Sequence, residues 1–266
     1  MINITHNLVC VVLFCVTFLY GLKLVVQYTQ CTNSVTAIYN DLIEYCSPSE
    51  ICLKPILNHK RLFPEASYLE ANVSSIKEEI QSFMNNFRTR TANETSPTTF
   101  GRDFADEGWR LVILKFYNKE YQEIQKHFPE TMRLLKKCGS KVRLAMFSIL
   151  KAHSQIKPHT GPFRGSMRYH LGLQVPQDRD RCFIQVDKYQ YHWNEGESFL
   201  FDDTYVHQVV NDTDEDRIVL FLDIQRTGKE LLSPIMDWVN EKICTSFIIH
   251  SLSALNDENE EPILLR

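Results

Sequence analysis

The sequence lacks the spacings that bind zinc or staple a small secreted domain. Its eight cysteines include no C-x-x-C pair, and Cys10 and Cys15 fall inside an apolar run. Without them, neither a zinc knuckle nor a compact disulfide framework is indicated, and a reducing compartment is mildly favoured. Charge of one sign is also scarce. A formal net charge of −4 gives no general pull toward nucleic acid. No stretch repeats at a fixed period, so no solenoid or array is implied. The N-terminal apolar run has no charged segment before it and no clear small-x-small pattern after it, which argues against a cleaved signal peptide.

What is present bounds the architecture. A chain of 266 residues with 44% hydrophobic content buries one good core. From Leu8 to Val26 the chain is apolar except for Thr17, Tyr20, Gly21 and Lys23. That is long enough to span a bilayer if Lys23 snorkels at its end. Residues 1–27 are therefore expected to be a single-pass transmembrane anchor, with Lys23 weakly placing the remainder on the cytoplasmic face. Sequons at Asn72, Asn93 and Asn211 matter only in a secretory pathway.

Residues 28–100 read as a helical approach segment. Ser75-Ile76-Lys77-Glu78 has the spacing of a capping box, and Ile76, Ile80, Phe83 and Phe87 share one helical face. Arg88–Thr99 is polar and reads as a loop. Trp109–Tyr117 is apolar enough for a first core strand, and Phe128-Pro129-Glu130-Thr131 opens a helix ending near Lys137. Seven short strand patterns then follow: Arg143–Leu150, Arg168–Val175, Cys182–Val186, Tyr189–Trp193, Ser198–Phe201, His207–Val210 and Arg217–Asp223. Closely spaced strands of this kind indicate a mainly β chain with flanking helices, its region 101–228 a jelly-roll or double-stranded β-helix, cupin-like. In 229–266 a helix pattern resumes, with Leu231, Ile235, Val239, Ile243 and Phe247 four apart, before the acidic tail Asn256–Glu261.

The chemistry-bearing stretch runs from His159 to Arg217. His159 and His207 are separated by strand patterns, and Arg217 follows the second histidine by ten residues. Two histidines and a carboxylate make the usual non-haem iron(II) site. The carboxylate's customary place, two residues after the first histidine, is Gly161 here. Of the other histidines, His153, His192 and His250 read as structural. Residues 101–170 carry 14 Lys and Arg against 6 Asp and Glu, whereas 177–223 is acidic. A basic region suits an anionic cosubstrate and an anionic substrate or surface, and a solvated charged face explains it equally.

These motifs carry a resemblance. Gly108-Trp109-Arg110, Pro162-Phe163, Gly165-Ser166-Met167-Arg168-Tyr169-His170, Cys182-Phe183-Ile184 and Asp203-Thr204-Tyr205-Val206-His207 resemble the aspartyl/asparaginyl β-hydroxylase family of iron(II)/2-oxoglutarate dioxygenases. They are most similar to its lipid A 2-hydroxylase branch, whereas His159-Thr160-Gly161 has the form found in the peptide branch. The resemblance implies the double-stranded β-helix fold. It implies iron(II) on His159 and His207, and 2-oxoglutarate clamped by Arg217 with Ser148. Trp109, Arg168, Tyr169 and His170 would line the rest of the cosubstrate pocket, and O2 is the oxidant. The implied substrate is a lipid A acyl chain or another anionic lipid, at the bacterial inner membrane. The competing readings are an acidic peptide's Asp or Asn, at the endoplasmic reticulum, and a non-catalytic β-roll binding module. An Arg217 paired with the acidic turn Asp212–Asp216 is the bland alternative for that residue.

Overall fold

The computed structural model describes residues 32–47, 54–95, 106–117, 119–226 and 262–264. The apolar run Leu8–Val26, the helix pattern from Leu231 to Phe247 and the tail Asn256–Glu261 lie outside them. Among the described residues no helix is long and apolar enough to cross a membrane.

Eight strands make the centre, and the chain deals them into two facing sheets, alternating except where one hairpin keeps two successive strands in the smaller sheet. β6 (Val142–Leu150), β8 (Ser166–Gln174), β11 (Ser198–Phe201) and β13 (Arg217–Gln225) enter the larger sheet. β7 (Ser154–His159), β9 (Cys182–Val186), β10 (Tyr189–Tyr191) and β12 (His207–Asn211) form the smaller one. The larger sheet runs β11-β8-β13-β6 at its heart, the smaller β10-β9-β12-β7, and every ladder between them is antiparallel. This is the jelly-roll expected from the strand spacing.

The larger sheet also recruits β1 (Ile56–Leu57), β3 (Arg90–Thr91), β4 (Trp109–Phe116) and β5 (Lys119–Glu120). Residues 54–95 are therefore no separate approach segment. β1 pairs with β11, and Phe63, Leu69, Ile76 and Ile80 are buried in the same core. The region expected to be a loop, Arg88–Thr99, instead contains β3, part of β2 (Phe87–Arg88) and the short helix Ala92–Thr95. β2 pairs with β14 (Ile263–Leu264), which pins that part of the chain's end onto the fold.

The helices cover the larger sheet from outside. α1 spans Thr32–Cys46, α2 His59–Leu62, α3 Ala66–Glu70 and α4 Val73–Asn86. The expected face of α4 is real: Ile76, Ile80 and Phe83 are buried, each contributing about 1.5–3 kcal/mol by leaving water. Its expected cap is not. The helix starts two residues before Ser75, behind Asn72, which makes no side-chain cap, and Phe87 has already left it. After α5 (Ala92–Thr95) and α6 (Gln122–Gln125) comes α7 (Pro129–Cys138), with Pro129 in its first turn, where a missing N–H costs nothing. Glu79 of α4 accepts from the Glu130 and Thr131 backbone N–H groups at 2.7 and 2.9 Å, capping α7 from a neighbouring helix.

Candidate active site

The two sheets face each other across a pocket of about 330 Å³. From the smaller sheet Ile156, His159, Ile184, His207 and Val209 line it; from the larger come Trp109, Ser148, Arg168, His170, Phe201, Arg217 and Phe221. A second hollow of about 350 Å³, against Phe83, Leu111 and Ile113, shares no lining residue with it and has neither histidine nor carboxylate.

A bulge aims the first histidine. Ile156 and His159 are three apart and would face opposite sides of a regular strand. The β7–β12 register shifts, so that His207 lies opposite His159 and Val209 opposite Ile156. That extra residue turns His159 back inward, and its ring centre sits 4.1 Å from that of His207. Both rings use Nδ1 in the same way. Nδ1 of His159 meets the Lys157 carbonyl at 2.8 Å, and Nδ1 of His207 meets that of Tyr205 at 2.9 Å. A carbonyl only accepts, so Nδ1 carries the proton and Nε2 the lone pair in each ring. Burial pushes His159 down to about 4 and His207 down to about 3. Two neutral imidazoles side by side, oriented by their outer nitrogens, offer two donors of the kind a divalent metal accepts.

Among the described residues no third His, Cys, Asp or Glu joins them in a cluster able to hold a metal. The structure accounts for the gap at Gly161. A Cβ there would lie 1.9 Å from Asp203 Oδ2, so the Asp203 carboxylate fills the space a residue-161 side chain would need. Gly161 N–H also donates to the Asp203 carbonyl at 2.7 Å. Asp203 is turned toward Arg168, whose Nη2 lies 3.0 Å away, while Nε of the same arginine reaches Asp223 at 3.1 Å. Burial raises the Asp203 carboxyl to about 7 against the opposing pull of Arg168. Asp202 is equally committed, in a fully buried pair with Arg226 at 2.6 Å.

Arg217 is the chemical oddity of the pocket. It is 1% exposed, and neither its Nε nor its Nη1 has a hydrogen-bond partner. The acidic turn is no partner: Asp212 pairs with Arg181 and His153, Asp214 with His153, and Asp216 with Lys151. Its guanidinium lies 4.9 Å from the Trp193 ring centre, and burial pulls its pKa down to about 10. A buried, unpaired guanidinium is costly unless an anion joins it. Around it stand Ser148, which accepts from Trp109 Nε1 at 2.9 Å, and His170, buried with both ring nitrogens unpartnered.

Seven of the eight site residues read from the sequence meet in this pocket. Tyr169 does not. Between Arg168 and His170, it faces the other side of β8, where its hydroxyl meets Ser198 Oγ at 2.6 Å and its ring packs edge-on to Phe63. Neighbours along a strand point to opposite faces. Asp223 and Trp193, the partners of Arg168 and Arg217, went unread, although Asp223 closes the strand pattern that Arg217 opens. The structural reading of His192 fits its bond to the Arg179 carbonyl, and His153 is exposed; His250 lies outside the described residues.

Residues 70–227 match the family model described as Aspartyl/Asparaginyl beta-hydroxylase. The chain belongs to that family. It is 32% identical over 194 residues to an ornithine lipid ester-linked acyl 2-hydroxylase of Rhizobium tropici, covering 71% of this chain and 68% of that one. Over 120 residues it is 29% identical to the aspartyl/asparaginyl beta-hydroxylase of Mus musculus, covering 44% of this chain but 16% of that protein. Among solved structures, a viral collagen prolyl hydroxylase of Paramecium Bursaria Chlorella virus-1 overlays with a TM-score of 0.32 at 10% identity, covering 47% of this chain and 81% of that one. That overlay is too slight to carry argument. Family membership makes the chain an enzyme, a hydroxylase, and removes the non-catalytic reading.

Proposed function

We propose that this protein is an iron(II)- and 2-oxoglutarate-dependent hydroxylase that acts at the 2-position of a lipid-linked acyl chain. The observation that carries the reading is Arg217, a buried guanidinium without a carboxylate, facing two metal-ready imidazoles across one pocket. His159 and His207 hold the metal, and Arg217 with Ser148 grips the far carboxylate of the cosubstrate. Iron with 2-oxoglutarate and O2 supplies an oxidative decarboxylation that puts one oxygen atom on a C–H bond and releases succinate and carbon dioxide. The chain's own residues orient and exclude water. Ile156, Ile184, Val209, Phe201 and Phe221 wall the pocket, and Trp109 holds the Ser148 hydroxyl.

The lipid substrate is supported by the similarity to the ornithine lipid hydroxylase and by the apolar run at Leu8–Val26, which we read as an anchor holding the catalytic part at the cytoplasmic face. Lipid A or another anionic lipid fits this reading. The second reading, Asp or Asn hydroxylation in an acidic peptide, is favoured by Gly161 and by the similarity to the murine enzyme. Purified protein given iron(II), 2-oxoglutarate and O2 should form succinate. Acyl chains of membrane lipids from cells carrying the gene should gain one oxygen by mass spectrometry, and lose it with His207→Ala. Succinate without any lipid change moves the substrate to peptides, and metal binding without succinate under any substrate sinks the hydroxylase.

A further inference from the structure

The residues just after His159 are held by a helix that lies outside the family match. The connection 160–165, between β7 and β8, has three attachments. Two come from within the matched region: Asp203 accepts from Gly161 N–H at 2.7 Å, and Arg226 N–H donates to the Gly165 carbonyl at 2.8 Å, with its Nε on the Arg164 carbonyl at 2.6 Å. The third comes from α1, more than a hundred residues upstream. Asn40 Nδ2 donates to the Pro162 carbonyl at 3.0 Å, and Asn40 Oδ1 accepts from Arg164 N–H at 2.8 Å. One amide thus closes on the two peptide groups flanking Phe163, as a neighbouring strand would have done. Glu44, one turn on, pairs with Arg164, and the buried Tyr39 ring meets Phe163 edge-on at 6.1 Å.

We infer that Asn40 is a positioning residue for the metal site: through Pro162 and Arg164 it fixes the connection that leaves His159. The inference rests on the hydroxylase reading above. In a site of two histidines and one carboxylate, the carboxylate itself ties this connection to the metal. Gly161 has no side chain with which to do so, and Asp203 occupies the space. With two protein ligands, the direction of each imidazole decides a larger share of metal affinity, and outer partners that hold it gain weight. α1 supplies the tie from outside the barrel. Because α1 begins at Thr32, shortly after the apolar run ending at Val26, the same clamp joins the N-terminal segment to the catalytic pocket.

The test uses the full-length protein and Mn(II), a redox-silent probe, with binding read by electron paramagnetic resonance. Asn40→Ala should weaken Mn(II) binding about tenfold, the lower end of what loss of an outer partner costs. The KM for iron should rise while the KM for 2-oxoglutarate stays within about twofold, because Arg217 and Ser148 lie on the other sheet. Ala37 is exposed on α1, and Ala37→Gly, which loosens the helix without touching the clamp, should lower thermal stability and leave Mn(II) affinity unchanged. Asn40→Asp keeps the acceptor for Arg164 N–H and loses the donor to Pro162, so it should fall between wild type and Asn40→Ala. It also serves as the variant to read if Asn40→Ala fails to fold. Wild-type affinity in both Asn40 variants, or an equal loss in Ala37→Gly, overturns the inference and leaves the hydroxylase standing. Wild-type protein that binds no Mn(II) overturns both.

Discussion

At the scale of single residues, Arg217 is the point where stability and function oppose each other. An unpaired buried charge costs free energy, softened by about 0.5–2 kcal/mol from the Trp193 face. Arg217→Met should therefore raise the stability of the ligand-free protein by about 1–3 kcal/mol in urea unfolding. The same change should weaken 2-oxoglutarate by about a hundredfold, in line with losing a buried charge partner. A destabilised Arg217→Met protein with intact cosubstrate affinity would contradict both halves. The place of Arg217 in the pocket was legible because an arginine opening an apolar strand needs a reason to be there; Tyr169 falls outside the pocket because a motif gives adjacency and a strand alternates faces. Gly161 and Asp203 form a second testable pair. Gly161→Asp should cost about 1–3 kcal/mol through overpacking against Asp203. Adding Asp203→Gly should recover much of that loss, a non-additivity read from the double-mutant cycle. Additive losses would mean that the two positions do not compete for one space.

Among the elements, the one absent from the sequence reading is the one that carries His159. β7, Ser154–His159, sends only Ile156 fully inward before its bulge and contains Pro158. No alternation survives that, and proline argues against a central strand. β7 lies at the end of the smaller sheet's order, and an edge tolerates proline. Other strands were legible because their buried positions carry apolar residues at the spacing the element requires; Cys182–Val186 alternates buried and half-buried residues, Ser198–Phe201 is buried throughout, and both fall where the pattern put them. The α4 face was legible for the same reason, and its cap was misplaced because the helix begins without a side-chain cap, so no local signal marks it. The cap that matters sits elsewhere. Glu79→Ala would leave the Glu130 and Thr131 N–H groups and the buried Thr131 hydroxyl without their acceptor. The expected cost is about 1–2 kcal/mol, with an unchanged dependence on denaturant. A loss under a few tenths of a kcal/mol would show that water replaces the carboxylate.

For the whole molecule, half of the basic residues in 101–170 are matched by acidic neighbours in the described structure. Lys115, Lys126, Arg133, Lys141, Lys151, Arg164 and Arg168 each have an acidic partner, and Arg168 is the one that lines the pocket. Asn211, fully buried and bonded through its amide to the Leu150, Lys151 and Glu215 carbonyls, offers no glycan site. What organises the molecule is the division of labour between sheets. The histidines belong to β7 and β12 of the smaller sheet, whereas Arg217 and Ser148 belong to β13 and β6 of the larger. A metal alone fastens two strands that are already paired. On the proposed reading, a cosubstrate held at the metal and at Arg217 would fasten one sheet to the other. 2-Oxoglutarate should therefore shift the thermal midpoint further with Mn(II) present than without it, so that the two together exceed the sum of their separate shifts. At a hundred times the dissociation constant the linkage is worth about 2.7 kcal/mol. Arg217→Met should abolish the joint shift and keep the Mn(II) contribution, while His207→Ala should lose both. Strictly additive shifts in the wild type would mean that the cosubstrate does not bridge the sheets, and would remove the assignment of Arg217 as its clamp.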